Sequence, residues 1–403
     1  MKSQKASLLF PIALVFFEIA TYLSNDMYLP SLPSLALDFN TTEQAAQDTL
    51  LAWFLGSASM QLLMGPLSDR YGRRIVLIVG GVFYIVATLI CATTHHFPLM
   101  LSARFIQGST VCSVVVAGYA AIHEHYSTKM AIKIIAIMGS VTILAPAFGP
   151  LIGAIIIELS HWRYIFYLLA FWAIVGLALL WVVMPETNPI RFPIQVKEIA
   201  QDYLKITKNR AFMGYTLTYC LLFMGMIAWI VESPFVIIER YSRSVLEYGY
   251  IQVIVFGGFI AGAQTTRSLI HRLDAIQVVQ YGLLIAQGSA LILFASCFFT
   301  TQLYWFIMLI TGVAFGSAMA FGPLHRSAIE ACREPMGRRM AISSTYVSLF
   351  GVFATLIAGY LKGHLLTHLS LLMALCVIFA FAIFILYKKR GYIVSNPEHN
   401  PEI

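Results

Sequence analysis

Two carboxylates stand inside the first apolar run of the sequence, at 8–37: Glu18 and Asp26, in "EIATYLSNDMYLP". A charge at the centre of a membrane-spanning helix costs about 2.5–3.5 kcal/mol, so an acid kept there faces a cavity or a partner. Burial disfavours an ionised carboxylate and a nearby guanidinium favours it. An acid balanced between the two takes up or loses a proton as its surroundings change. That is the chemistry of proton coupling; the bland counterpart is a pair of core charges that hold helices together. At a rise of about 1.5 Å per residue, Asp26 lies about 12 Å beyond Glu18 and about 80° round a straight helix, so both can face one broad cavity. Tyr22 stands between them on the same side and Asn25 adjoins Asp26. Pro30 and Pro33 predict a bend just beyond.

One cation is left within an apolar segment: Arg104, in "LSARFIQGS". It has two readings, an anchor bonded to backbone carbonyls or a carboxylate, and a sensor of the protonation of Asp26. Gln107, one turn along, can bond a carboxylate or a ligand through its amide, and Gly108 lets a neighbouring helix approach. Glu232, in "AWIVESPF", is either a further acid in the cavity or the partner of Arg240 or Arg243. Glu124, in "HEHYS", reads as an ion-pair partner at a helix end. Met138, Met226, Trp229 and Phe256 are candidates to line a greasy binding site, although such residues are more often core. No metal site is expected, since "HEH" lacks the H-E-x-x-H spacing, and no phosphate loop G-x-x-x-x-G-K-[ST] occurs. The six cysteines are dispersed and read as packing residues.

The elements that must position these groups are helices in lipid. The chain has 403 residues, 59% of them hydrophobic and 11% charged, far from the composition of a water-soluble globule. A spanning helix needs about 20 mostly apolar residues. Such stretches recur at 8–37, 44–68, 75–94, 99–125, 131–158, 164–184, 211–238, 246–268, 276–299, 302–330, 338–362 and 367–387. Lys and Arg favour cytoplasmic loops. With both termini inside, that side collects the loop cations from Lys2 and Lys5 through Arg191 to Arg390, leaving Arg163, Arg240, Arg243 and Lys362 outside. The basic excess, 26 against 19, is therefore topology, and nucleic-acid binding is not expected. The longest polar stretch, "PETNPIRFPIQVKEIAQDYLKITKNR" at 185–210, predicts an amphipathic helix along the inner surface. Its apolar side carries Ile194, Val196, Ile199, Tyr203, Leu204 and Ile206. The expected organisation is a six-helix lobe at 1–184, a cytoplasmic linker at 185–210, and a second six-helix lobe with a short tail at 211–403. Function then lies within the membrane.

Two further stretches carry a pattern. In "GPLSDRYGRR", at 65–74, Gly65 and Gly72 allow tight backbone approach. Asp69 can cap a neighbouring helix or pair with an arginine, and Arg70, Arg73 and Arg74 stay at the inner face. In "GSVTILAPAFGPLIGA", at 139–154, Gly139, Pro146, Gly149, Pro150 and Gly153 form a small, kinked face suited to close helix packing. With "LSARFIQGS" these stretches resemble, in order, three motifs of the major facilitator superfamily: the loop motif G-x-L-a-D-r-x-G-r-k, the span-four motif with its arginine, and the span-five antiporter motif. Within that superfamily the chain resembles the twelve-span drug/proton antiporters. The expected second copy of the loop motif, after span eight, is reduced in "TTRSLIHRLDAIQ" to basic character.

The resemblance implies an all-α polytopic membrane protein with twelve helices in two lobes and both termini cytoplasmic, in a bacterial inner membrane. It implies a monomer that exports lipophilic cationic and neutral small molecules in exchange for protons. The proton gradient is the energy source and there is no cofactor. Asp26, Glu18 and Arg104 would couple proton and substrate, and Arg104 would be essential. The loop motif would gate, and span five would act as hinge and inter-lobe seal. The alternatives are a narrow-specificity exporter of a siderophore, sugar or other metabolite, or a proton-coupled nutrient importer. An enzyme is disfavoured, for no nucleophile–base set stands in the sequence.

Overall fold

The computed structural model describes residues 8–188, 195–300, 302–360 and 365–393. Lys2, Lys5, Arg191, Ile194 and Lys362, which entered the charge and linker readings, lie outside the described residues. Among the described residues, twelve helices are long and apolar enough to cross a membrane: Leu9–Asp38, Glu43–Tyr71, Arg73–Thr93, Phe97–His125, Thr128–Leu159, Arg163–Val183, Arg210–Arg240, Val245–Leu269, Ala275–Ser296, Leu303–Glu330, Met336–Tyr360 and Leu366–Lys389. They are numbered here as spans one to twelve. Each meets one expected span, its ends shifted by about one helical turn at most. Hydrocarbon offers no partner to backbone N–H and C=O groups, which is why apolar runs of this length become helices.

Three spans are interrupted. Span one bends where its prolines predict: the helix Leu9–Asp26 gives way to a 3₁₀ turn at Leu29–Ser31 and resumes at Leu32–Asp38. The other two interruptions have no counterpart in the hydrophobic pattern. Span four widens into a π turn at Val114–Gly118, and span seven does so at Phe235–Arg240, directly after Pro234.

Among the first six spans, one packs on five and six, three on four and six, and two on four. Among the last six, ten packs on eight and nine, and seven packs on ten, eleven and twelve. Spans two and eleven, and five and eight, join the two sets. The crossing of spans two and four depends on reciprocal glycines. A Cβ on Gly56 would collide with the carbonyl of Phe105, and one on Gly108 with that of Trp53. Any larger residue at either point forces the helices apart.

The packing is unequal at the two ends of the bundle. One buried apolar cluster contains Tyr28, Leu32, Leu50 and Phe54 from the first set together with Trp229, Phe235 and Val352 from the second. These first-set residues lie towards the end opposite the linker. At the linker end the first set has its own cluster, including Phe10, Leu14, Leu77, Ile122, Met138 and Leu180. Among the described residues, no member of it lies beyond Met184. The two sets thus share a core at the opposite end and not at the linker end.

The linker helix, Val196–Lys208, bridges that end through Tyr203 and its two acids Glu198 and Asp202. Tyr203 donates its hydroxyl to the Leu62 carbonyl at 3.0 Å, while Arg338 of span eleven binds Asp202 and, at 3.2 Å, Glu198. Ile206 is buried, but Val196 and Leu204 of the expected apolar side remain exposed.

Candidate functional site

Arg104 is the centre of a polar cluster between spans one, three and four. It is fully buried, and its guanidinium donates to the Ser24 carbonyl at 3.1 Å, to Gln107 Oε1 at 2.8 Å and to Asn25 Oδ1 at 3.1 Å. Its remaining face lies 4.7 Å from the centre of the Tyr28 ring, a favourable cation–π placement. Gln107 is oriented in turn by donating to Thr88 Oγ1 at 2.7 Å. The anchor reading's backbone contact is therefore present. No ion pair joins Arg104 to an acid among the described residues, because neutral oxygens occupy its Nη groups. Asp26 is the acid next to this cluster. It is 7% exposed, and among the described residues nothing hydrogen-bonds to its carboxylate.

Glu18 has a separate setting. It is fully buried, and Tyr119 donates its hydroxyl to Oε1 at 3.0 Å. The second oxygen, Oε2, is buried and has no hydrogen-bond partner among the described residues. A buried polar atom left so costs about 1–3 kcal/mol, more if charged, unless a proton or a ligand satisfies it. Tyr119 and Arg104 belong to one helix, and the π turn between them resets its phase, a device common at functional sites. Tyr22 lies in electrostatic reach of both acids. Among the described residues the two acids share no hydrogen-bond donor.

Span five closes the site from the other side. A Cβ on Gly149 would stand 2.6 Å from the Cβ of Asp26, and one on Gly153 would run into the Met27 carbonyl. The same helix meets span eight, where a Cβ on Gly249 would lie 2.9 Å from Leu151 Cα. Pro146 and Pro150 sit within an unbroken helix. Gly139 does not share in this packing, as a methyl group there would meet open space. Span five therefore touches Asp26 on one face and the second set of spans on another.

The loop motif forms a network within the first set. Asp69 pairs with Arg73 at 2.6 Å, and Arg73 also pairs with Glu124 at 3.1 Å, the role expected of Glu124. Gly72 has φ +102°, and a Cβ there would collide with Glu186, whose carboxylate accepts the Arg73 N–H at 2.9 Å and so caps span three. Arg74 reaches the Trp181 carbonyl at 2.6 Å, and Arg70 lies over Tyr71. Gly65 makes no close approach.

The other candidates disperse. Glu232 does not pair with Arg240 or Arg243; it accepts from Gln47 Nε2 at 2.9 Å, and Arg243 pairs with Glu247 instead. Trp229 is buried and donates to Gln252 Oε1 at 3.1 Å, within a network that includes Ser233 and Tyr248. Met138 is a member of the linker-end core, and Met226 and Phe256 are buried in the larger one. Tyr119, Thr88, Gln47 and Glu186 escaped the sequence reading. Tyr119 alone carried a signal, as a hydroxyl-bearing ring between small residues in "GYAAIHE".

The chain matches the Major Facilitator Superfamily over residues 14–355. It belongs to that superfamily. It is 35% identical over 295 residues to the multidrug transporter MdfA of Yersinia pestis, across 71% of this chain and 72% of the relative. It is 32% identical over 383 residues to MdfA of Edwardsiella ictaluri, across 93% of each. It is also 32% identical over 330 residues to the chloramphenicol resistance protein CraA of Acinetobacter baumannii, across 81% and 79%. Among solved structures, a bacterial homologue of the human lysosomal transporter Spinster superposes with a TM-score of 0.76 at 15% identity, covering 98% of this chain and 100% of the other. A D-xylose–proton symporter gives 0.74 at 17%, covering 94% and 98%. The last two are likenesses of fold. The protein is thus a twelve-helix, multi-pass membrane transporter, and no catalytic family is indicated.

The glycine contacts separate two substitutions in one motif. Gly153→Ala should abolish transport or folding, because its Cβ meets backbone, whereas Gly139→Ala should retain transport within about two-fold. Vesicle uptake normalised to protein level checks this, and equal losses would contradict it.

Proposed function

We propose that the protein is a proton-coupled antiporter that exports lipophilic small molecules, cationic and neutral, by alternating access of two lobes, 1–184 and 211–403. Both termini and the linker are cytoplasmic, in the inner membrane of a bacterium, and the chain works as a monomer without a cofactor. The observation that carries the reading is a buried Arg104 that, among the described residues, has no ion-paired acid, with the buried Asp26 carboxylate in its electrostatic reach. Arg104 holds the Ser24 carbonyl and Asn25, the two residues immediately before Asp26. An ionised Asp26 attracts the guanidinium; a protonated one releases it. Either change pulls on the backbone of span one where Gly149 and Gly153 of span five press against it. The proton state of Asp26 is thereby linked to the seam between spans five and eight.

Supporting the export direction and the substrate class are relatives named as multidrug and chloramphenicol resistance proteins. One proton entering down roughly 150 mV contributes about 3.5 kcal/mol, at ~2.3 kcal/mol per 100 mV. At about 1.4 kcal/mol per decade, that sustains a substrate gradient of roughly 300-fold. The free oxygen of Glu18, near Tyr22 and Tyr119, offers a cationic substrate an anion and aromatic faces. A neutral substrate relies on apolar contact. Transport of structurally unrelated dyes separates this broad reading from a narrow metabolite exporter.

Asp26→Asn should abolish drug-dependent proton exchange, by more than about ten-fold, in a protein that still inserts and folds; wild-type exchange in purified, reconstituted mutant would sink its role. Glu18→Gln should weaken export of a cation several-fold and largely spare a neutral drug, both measured in the same everted vesicles under one pH gradient. Equal loss of the two would move Glu18 to the proton path or the scaffold. Asp69→Asn should slow turnover and leave substrate affinity nearly unchanged, since among the described residues the Asp69 carboxylate pairs with Arg73 of the same motif. Equilibrium binding compared with transport rate decides that point.

A further inference from the structure

The Gln47–Glu232 hydrogen bond lies outside both the Arg104 cluster and the Glu18 pocket. Gln47 is near the start of span two and Glu232 towards the end of span seven, so the bond crosses between the sets at the end opposite the linker. It is 2.9 Å long, and both residues are buried, at 4% and 7% exposure. Span eleven holds Gln47 from a third side: a Cβ on Gly359 would stand 3.2 Å from its Oε1 and 3.3 Å from Gln44 Cγ. Beside it on this seam, Ser57 meets Ser348 at 3.1 Å and the Phe54 ring packs on Gly351.

The chemistry of the contact is unusual for a structural one. A buried carboxylate is ordinarily held by a cation, yet no cation pairs with Glu232 among the described residues. Another acid, Glu43 of span two, lies in electrostatic reach of it. The hydrogen-bond donor it has among the described residues is a neutral amide from the opposite set. When the seam is shut, the carboxylate depends on that amide; when it parts, water solvates both groups. The bond therefore offsets a desolvation cost that exists only in the shut state.

We propose that Gln47 and Glu232 form the gate of the end opposite the linker. The amide favours the shut seam, the buried charge opposes it, and the balance sets how readily the cavity opens to release substrate on that side. The proposal rests on the alternating-access reading and adds the residues that time its outward half.

The two side chains predict opposite effects, which a merely structural contact would not give. The reporter is Ser348→Cys, on the seam, labelled by a membrane-impermeant maleimide applied from the side opposite the linker, in membranes holding the full chain. The parent chain, with its native cysteines, gives the background. Gln47→Ala strands the carboxylate and should raise the labelling rate, roughly ten-fold for the loss of one hydrogen bond to a charged group. Glu232→Gln keeps an acceptor for Gln47 and removes the charge, and should lower the rate. Unchanged rates, or rates that move in the same direction, overturn the gate. In a second arm, Gln47→Cys with Glu232→Cys is joined by a short bis-methanethiosulfonate linker. Joining should stop transport, reductant should restore it, and the parent treated alike should keep its activity. Full transport in the joined protein also overturns the gate. Proton coupling fails separately: were Asp26 not the carrier, Asp26→Asn would transport normally while the joined pair still blocked.

Discussion

A buried guanidinium held by neutral oxygens, with no ion-paired acid among the described residues, is the constraint around which this protein is arranged. Removing an ion from water costs several kcal/mol even after relaxation, and Arg104 recovers it from neutral oxygens and one aromatic face. Each of those oxygens must then stay in place. Gln107 is held by Thr88 of span three, and the Ser24 carbonyl and Asn25 are fixed in span one just before its proline bend. Spans one, three and four are therefore bound together by one side chain. A cation so placed is sensitive to any change of charge nearby, and Asp26 is the acid adjoining its ligands. Had Arg104 and Asp26 formed a tight pair, both charges would be cancelled and a proton could be added only by breaking it. Their separation keeps the acid available.

The small residues make this charge chemistry mechanical. Gly149 and Gly153 bring span five against Asp26 and Met27, and Leu151 of the same helix meets Gly249 of span eight. A displacement at Asp26 thus has one helix to cross before it reaches the second set of spans. Packed interiors transmit such displacements because they have little free volume to absorb them. The loop motif works differently. Its Asp69–Arg73–Glu124 chain, with Glu186 capping span three, ties the linker ends of the first set to one another. It lies where the two sets share no apolar cluster.

Span number, span position and the proline bend were legible in the sequence because hydrocarbon admits few structures and apolar length reports them directly. The polar outliers Glu18, Asp26 and Arg104 were legible for the same reason, since a charge in an apolar run stands out at once. Their partners were not. Tyr119, Thr88 and Ser24 are unremarked residues on apolar helices, and only tertiary packing decides which oxygen faces a guanidinium. The π turns were also hidden, because an extra residue in one turn leaves the apolar length unchanged. Glu232 marks the limit most clearly. Nearby arginines in sequence invited an ion pair, but its partner lies in span two, 185 residues away. The small-residue motif was half legible: its composition announced close packing, but the packing falls at Gly149 and Gly153 and not at Gly139.

The seam between the sets raises a question of magnitude. One proton contributes about 3.5 kcal/mol at roughly 150 mV, while fully burying a large apolar side chain is worth about 1.5–3 kcal/mol. The shared cluster contains many such side chains, so a proton alone cannot part it. Alternation becomes feasible only if burial lost at one end is regained at the other. The first set's own core at the linker end provides surface for that exchange. Given a near balance of apolar burial, the outcome is decided by contacts of one to three kcal/mol, the scale of single hydrogen bonds to charged groups. Gln47–Glu232 is on that scale, Ser57–Ser348, a neutral pair, lies at its lower edge, and the attraction of a buried arginine for a carboxylate that has just lost its proton adds to them. A transporter built this way needs no large force, because its two ends are nearly matched and a proton tips them.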